Sequence, residues 1–254
     1  SALTPAPPLN LLLTFTSITG AHRHHLRTYV RMRWDEQRVE NDMRLPGIGD
    51  GTVVRTFDAP EAMGINFHEV RARSALNHVP GESFGFSWTI NPYRGCTHAC
   101  IFCFARKTHT YLDLDAGRDF EREIVVKVNV PELVRAELAR PSWKRELVAL
   151  GTNTDPYQWV ESRYRMMPEI LEALEAAGTP VSVLTKSPLA MRDVEIFERM
   201  AKKLPVSVNL SVPTLDEDAW RATEPHTPSP AARLDAVAEL RRRGIDSGVL
   251  IAPL

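Results

Sequence analysis

Phe84-Gly85-Phe86-Ser87-Trp88-Thr89-Ile90-Asn91-Pro92-Tyr93-Arg94-Gly95-Cys96-Thr97-His98-Ala99-Cys100-Ile101-Phe102-Cys103-Phe104 joins two patterns in one stretch of chain. Phe84–Ile90 is apolar and aromatic and predicts a strand. The segment after it reads as a loop and carries all three cysteines, Cys96, Cys100 and Cys103, spaced C-x3-C-x2-C. Downstream a strand–helix rhythm begins. Strands are predicted at Glu123–Val128, Leu147–Gly151, Val181–Leu184, Val206–Val212 and Gly248–Leu254. Helices are predicted at Pro131–Ala139 and Pro168–Ala177, each opened by a proline, the second closed by Gly178. A third, Met191–Lys203, collects Leu189, Val194, Phe197, Met200 and Ala201 on one side. The last is Pro230–Arg243, closed by Gly244. Strands alternating with helices imply an α/β fold with a parallel sheet, open or rolled into a barrel. Ligands in such folds bind at the C-terminal ends of the strands. Attention therefore falls on 91–103, 151–158, 185–187, 211–214 and 252–254. Upstream, 35–60 is loop-rich, and 64–76 has room for a short strand and a turn.

Composition sets the outer limits. The chain has 254 residues, 43% hydrophobic and 25% charged, as in an ordinary globular protein. Lys and Arg number 31 against 32 Asp and Glu, a net charge of −1. No overall basic excess points to a phosphate backbone, so nucleic acid is a possible partner without support from net charge. No apolar run is long enough for a membrane span. Leu9–Phe15 is short, holds Asn10 and Thr14, and lacks a preceding basic residue, so it fails as a signal peptide. Three clustered cysteines make no disulfide framework for a chain this long. They read as a metal or cluster site in a reducing compartment, and the expected location is cytoplasmic.

Three segments are expected. Residues 1–34 read as a disordered or artefactual extension: Asp and Glu are absent from Ser1 to Trp34, and Met32 is a plausible start. His22, His24 and His25 are taken as polar filler. Residues 35–83 form an N-terminal segment, and 84–254 form the βα body. The chain stops inside its last predicted strand, and the expectation is a C-terminal truncation.

Thiolates are soft ligands that select iron–sulfur clusters, zinc or Cu(I). A 4Fe-4S cube held by four thiolates is closed, whereas a cube held by three leaves one iron open to a ligand. The compact spacing lets one loop wrap three corners. The alternative is a zinc site completed by His98 or His109, in a binding module without catalysis. Structural zinc sites usually split their ligands into two distant pairs, and here there is no second pair.

The C-x3-C-x2-C spacing, with an aromatic before the last cysteine and a preceding strand, resembles the radical S-adenosylmethionine (radical SAM) superfamily. Further segments resemble its spore photoproduct lyase-like branch, often labelled DNA repair photolyase, and specifically actinobacterial members of unassigned substrate. They are Asn91–Cys96, Val126-Lys127-Val128-Asn129, Gly151-Thr152-Asn153-Thr154-Asp155-Pro156-Tyr157-Gln158, Leu184-Thr185-Lys186, Glu224–Pro230 with Arg233, and Val249–Pro253. The likeness runs from about Met32 to Leu254.

That resemblance implies a partial (β/α) barrel of the radical SAM type. It implies a 4Fe-4S cluster on Cys96, Cys100 and Cys103, whose open iron chelates S-adenosylmethionine (SAM), and an electron donor such as flavodoxin or ferredoxin. One electron then cleaves the sulfonium, and a 5′-deoxyadenosyl radical abstracts hydrogen from an unknown substrate. Cofactor contacts carry over to Phe102 (adenine), Thr154 (methionine moiety), Lys186 (near the carboxylate), Ser211 (ribose, with Asn209 as rival) and Ala252 (backbone groups toward adenine). Arg233 pairs either with Glu224 or with the cofactor carboxylate. In spore photoproduct lyase a cysteine near the position of Thr152 returns hydrogen to the product; a threonine hydroxyl is a very poor hydrogen-atom donor. Cleavage of a thymine photoproduct by that route is therefore not expected, while a lyase that repairs a nucleic-acid lesion stays an alternative that the branch label alone favours. Tyr157 is read as packing rather than a radical relay. Arg241-Arg242-Arg243 reads as a helix end complementing its dipole rather than a nucleic-acid patch, and Trp143-Lys144-Arg145 as a surface connection.

Overall fold

The structure, a computed structural model, describes residues 32–37, 39, 54–80 and 85–252. The expected extension falls outside these residues except for its last three. Of those, Met32 is buried and Arg33 N donates to Leu112 O at 3.0 Å.

In chain order the strands and α-helices are β1 (Val54–Arg55), β2 (Asn66–Val70), β3 (Leu76–His78), β4 (Trp88–Ile90), β5 (Tyr93–Arg94), α1 (Asp119–Arg122), β6 (Glu123–Lys127), α2 (Val130–Leu138), β7 (Val148–Leu150), α3 (Glu161–Tyr164), α4 (Met166–Ala176), β8 (Val181–Thr185), α5 (Val194–Ala201), β9 (Val206–Ser211), α6 (Glu217–Thr223), α7 (Pro230–Arg242) and β10 (Val249–Leu250). A nine-residue 3-10 helix, Phe104–Leu112, follows the cysteines directly.

Six strands form one sheet in the order β10-β9-β8-β7-β4-β3. All neighbours are parallel except the β3–β4 hairpin pair. The sheet is open, as a partial barrel requires. Its parallel strands are joined by the helices that the rhythm predicts. Val148, Leu150, Val181, Val183, Val206, Val208 and Leu210 bury one face against Ile170, Leu174, Phe197 and Leu240. Burial alternates along β8 and β9, so Leu184, Lys186 and Ser211 point to the opposite, concave side. The stripe foreseen on the Met191–Lys203 segment is present: Val194, Phe197 and Met200 are buried, with Leu189 and Ala201 packed beside them. The segment is nonetheless two pieces, 3-10 over Pro188–Asp193 and α-helical from Val194.

One strand departs from the expected rhythm. Glu123–Lys127 forms a strand, but it joins a second, four-stranded sheet, β1-β2-β6-β5. There β6 runs parallel to β2 and antiparallel to β5. Periodicity reports that a strand is buried on both faces, not which neighbour it pairs with. Because β2 pairs with β6 and β3 with β4, residues 54–80 build both sheets together with the chain beyond residue 84. The loop-rich 35–60 region holds the two-residue strand β1 and starts a 3-10 turn at Pro60.

Gly151 ends β7 with φ +98°, and a Cβ there would lie 1.9 Å from Leu184 O. No residue but glycine lets β7 and β8 approach this closely where the cavity opens.

Candidate functional site

The three cysteines sit where β5 turns toward the 3-10 helix. Gly95 makes that turn with φ +82°; a Cβ on it would come within 2.7 Å of Phe120 O and 2.9 Å of His109 Cε1. Cys96 N donates to Phe120 O at 3.0 Å. Two side chains not singled out from sequence hold the loop. Arg106 donates to Cys100 O at 3.0 Å and to Ala99 O at 2.9 Å, and pairs with Glu121 at 2.7 Å. Ala99 keeps a left-handed conformation, φ +56°, under this grip. Gln158, fully buried, reaches Gly95 O and Thr97 N.

A cavity of about 360 Å³ opens above the loop on the concave side of the six-stranded sheet. Cys96, Cys100 and Cys103 all line it, as do Phe102, Thr154, Lys186, Ser211 and Ala252. Of the expected contacts, Arg233 alone does not. It is wholly buried, bonds Glu224 at 2.8 Å, and also donates to Ser211 O, Pro228 O and Thr227 Oγ1. Of the two partners that the sequence offers, Arg233 bonds Glu224, and it supports the cavity from behind. Ser211 rather than Asn209 lines the cavity; Asn209 lies one pleat deeper, beside Gly248.

Lys186 Nζ is 2.7 Å from Ser211 Oγ and 2.7 Å from Glu224 Oε1, and stands 5.4 Å from the centre of the Phe102 ring. An ammonium has three donors, so one remains for a ligand in the cavity. Thr154 is more committed. Its hydroxyl donates to Gly95 O at 2.6 Å and accepts from Gln158 Nε2 at 2.9 Å. Only a lone pair is left to face a ligand.

Asp155, for which the sequence predicts no role, is a junction. It accepts from Thr185 Oγ1, Lys186 N and Tyr157 N, and its Oδ2 is 3.3 Å from His98 Nδ1. Burial would raise its pKa, but His98 and the donated hydrogen bonds outweigh that and hold it below the ordinary carboxylate range. For His98, burial pulls downward, yet the Cys96 and Asp155 charges push it up to about 10. Burial also raises the Cys100 thiol strongly, helped by Cys96, and raises Cys103. Such thiols release their protons when a metal binds.

These contacts bear on the zinc alternative. His98 lines the cavity between Cys96 and Asp155, with its Nδ1 toward Asp155, and His109 Nε2 lies 3.0 Å from Glu123 O while its ring packs on Phe120. Among the described residues no three His, Cys, Asp or Glu side chains gather as a site for one metal ion. A cube has no such need, because each thiolate takes a different iron. Three thiols from one loop, opening on a cavity with a spare ammonium donor, fit a cluster with a bound amino acid-like ligand.

The radical SAM family model matches residues 90–254, which span the cysteine loop and the whole six-stranded sheet apart from β3 and most of β4. The chain belongs to the radical SAM superfamily. It is therefore an enzyme, and its family implies a 4Fe-4S cluster and SAM. An uncharacterised protein of Mycobacterium tuberculosis (strain ATCC 25618 / H37Rv) is 49% identical over 230 residues, covering 88% of this chain and 68% of that protein. A radical SAM Nalpha-GlyT isomerase of Pseudomonas phage M6 is 27% identical over 227 residues, 89% of this chain and 45% of the isomerase. A spore photoproduct lyase variant with bound AdoMet and dinucleoside spore photoproduct has the same fold. Its TM-score is 0.56 at 15% identity, over 78% of this chain and 55% of the lyase.

Within this radical SAM enzyme Thr152 lines the cavity, and its Oγ1 is buried without a hydrogen-bond partner. Tyr157 is fully buried behind it, bonded to Asp193 at 3.0 Å and packed on Phe197, so it does not face the cavity. Arg241 donates to Ser247 O, Arg242 pairs with Glu239, and Arg243 pairs with Glu239 and Glu198. The triplet is tied to its own helix, to the segment after it and to α5. Trp143 bonds Thr179 and stacks edge-on against Trp88, as a connection would. No helix among the described residues is long and apolar enough to cross a membrane.

Proposed function

We propose that this enzyme binds a 4Fe-4S cluster through Cys96, Cys100 and Cys103 and holds SAM in the cavity above them, for hydrogen abstraction from a substrate entering over Thr152, Phe104 and Leu250. The observation that carries the proposal is the convergence of the three thiols and the Lys186 ammonium on one cavity. Bound together, cluster and SAM supply one-electron cleavage of the sulfonium and a 5′-deoxyadenosyl radical. The chain's own side chains bind and orient. Lys186 offers its third donor to the SAM carboxylate, while Glu224, anchored by Arg233, keeps the ammonium in place. Phe102 supplies an aromatic wall for adenine, and Ser211 and Ala252 line the same cavity. Phe104, 76% exposed, and Leu250, 44% exposed, give the mouth an apolar rim. Among the described residues the cavity's basic lining side chains are Lys186 and His98, and each already faces a carboxylate, Glu224 and Asp155, which supports a substrate other than a phosphate backbone.

The test is anaerobic. Reduced by dithionite or by a flavodoxin or ferredoxin, the protein is expected to convert SAM to 5′-deoxyadenosine and methionine slowly without substrate. Lys186→Ala should weaken SAM binding by roughly 1–3 kcal/mol, the scale for losing a hydrogen bond to a charged group. No 5′-deoxyadenosine from iron-loaded protein would end the proposal. Unchanged SAM affinity in Lys186→Ala would remove Lys186 from the cofactor site.

A further inference from the structure

We propose that Gln158, acting with Thr154, is the positioning residue that aims the Cys96 thiolate, an inference that rests on the cysteines being the cluster ligands. One buried amide grips the backbone on both sides of Cys96. Gln158 Nε2 donates to Gly95 O at 3.1 Å, and Gln158 Oε1 accepts from Thr97 N at 2.9 Å. The same Gly95 carbonyl takes a second bond from Thr154 Oγ1 at 2.6 Å, and Gln158 Nε2 also donates to that hydroxyl. The three residues close a small ring of hydrogen bonds directly beneath the first cysteine.

The clamp is itself rigid. Gln158 is 0% exposed, its N–H bonds Asp155 O at 3.3 Å, and its carbonyl accepts from Glu161 N at 2.9 Å where α3 begins. The held segment has no slack either. Gly95 is locked at positive φ against Phe120 O, and Cys96 N bonds the same carbonyl. The direction of the Cys96 side chain is thereby fixed by residues some 60 positions later in sequence. Gln158 does not line the cavity, and the one O–H of Thr154 is committed to Gly95. The donors of both are therefore spent on the loop, although Thr154 also lines the cavity. Groups that orient a metal-bound side chain from behind commonly change metal affinity 10- to 100-fold when removed.

The experiment compares wild type, Gln158→Leu, Thr154→Val and Thr154→Ser after anaerobic iron and sulfide reconstitution. Iron retention is timed against a chelator, and the electron paramagnetic resonance spectrum of the reduced cluster is recorded. Gln158→Leu is expected to lose iron about 10-fold faster or more, with altered g-values. Thr154→Val should move the same way by a smaller factor, and Thr154→Ser, which keeps the hydroxyl, should return to wild type. If Gln158→Leu does not fold, Thr154→Val and Thr154→Ser decide alone. Folded variants with wild-type retention and spectrum overturn the inference, even if they melt lower, because that is a purely structural role. A wild type that takes up no iron overturns the reading of the cysteines, and this inference with it.

Discussion

Reconstituted under anaerobic conditions with iron and sulfide, the chain is expected to take up about four irons and absorb near ~400 nm, as thiolate-bound iron–sulfur does. Cys96→Ala, Cys100→Ala and Cys103→Ala should each abolish that uptake. The loop supplies three thiolates and no more. His109 is engaged with Glu123 O, and His98, beside Cys96, turns its Nδ1 to Asp155 and is not a thiolate. Removing one cysteine therefore leaves two ligands for a cube. Iron and sulfide analysis, with the optical spectrum, reads the result. Full iron retained by any one variant would mean that the cysteines are not the ligand set; a colourless wild type carrying stoichiometric zinc would restore the zinc alternative.

Arg233→Met is expected to cost about 3–5 kcal/mol of stability, the range for breaking a buried ion pair from one side. For a chain of this size that is a fall of roughly 6–20 °C in melting temperature. Methionine keeps much of the volume but none of the five donors. Glu224, 1% exposed, would be left with Lys186 alone, and Ser211 O, Pro228 O and Thr227 Oγ1 would each lose a partner. Pairing it with Glu224→Gln should recover part of the loss, because the stranded charge is then gone. Thermal melting with and without SAM separates the two roles that the sequence left open. An Arg233→Met protein of wild-type stability but weakened SAM binding would return Arg233 to the cofactor carboxylate.

Much of this enzyme is written locally. The cysteine spacing, the prolines opening helices, the glycines closing them and the apolar stripe from Val194 to Met200 are properties of neighbouring residues. Each survives in the structure to within a few positions. The strand ends that carry polar residues do converge, because a parallel sheet puts all its C-terminal ends on one side. So Phe102, Thr154, Lys186, Ser211 and Ala252 share one cavity with the cysteines.

Other features depend on which segments meet. Strand β6 has the pattern of its neighbours yet pairs with β2 and β5, and nothing in its own five residues says so. Arg233 and Lys186 are both basic residues near a cavity; only packing makes one wholly buried against Glu224 and leaves the other with a donor to spare. Thr154 carries the right side chain at the right strand end, but its hydroxyl is taken by a carbonyl 59 residues earlier. Asp155 and Gln158 gave no periodic or spacing signal at all. A single polar residue in a turn reads as solvated until a partner from another loop is brought against it. Spacing determines which chemistry a loop can hold, since ligands on one short segment move together. The allocation of each hydrogen bond is decided by tertiary contact, since a buried donor binds whatever acceptor the fold places beside it.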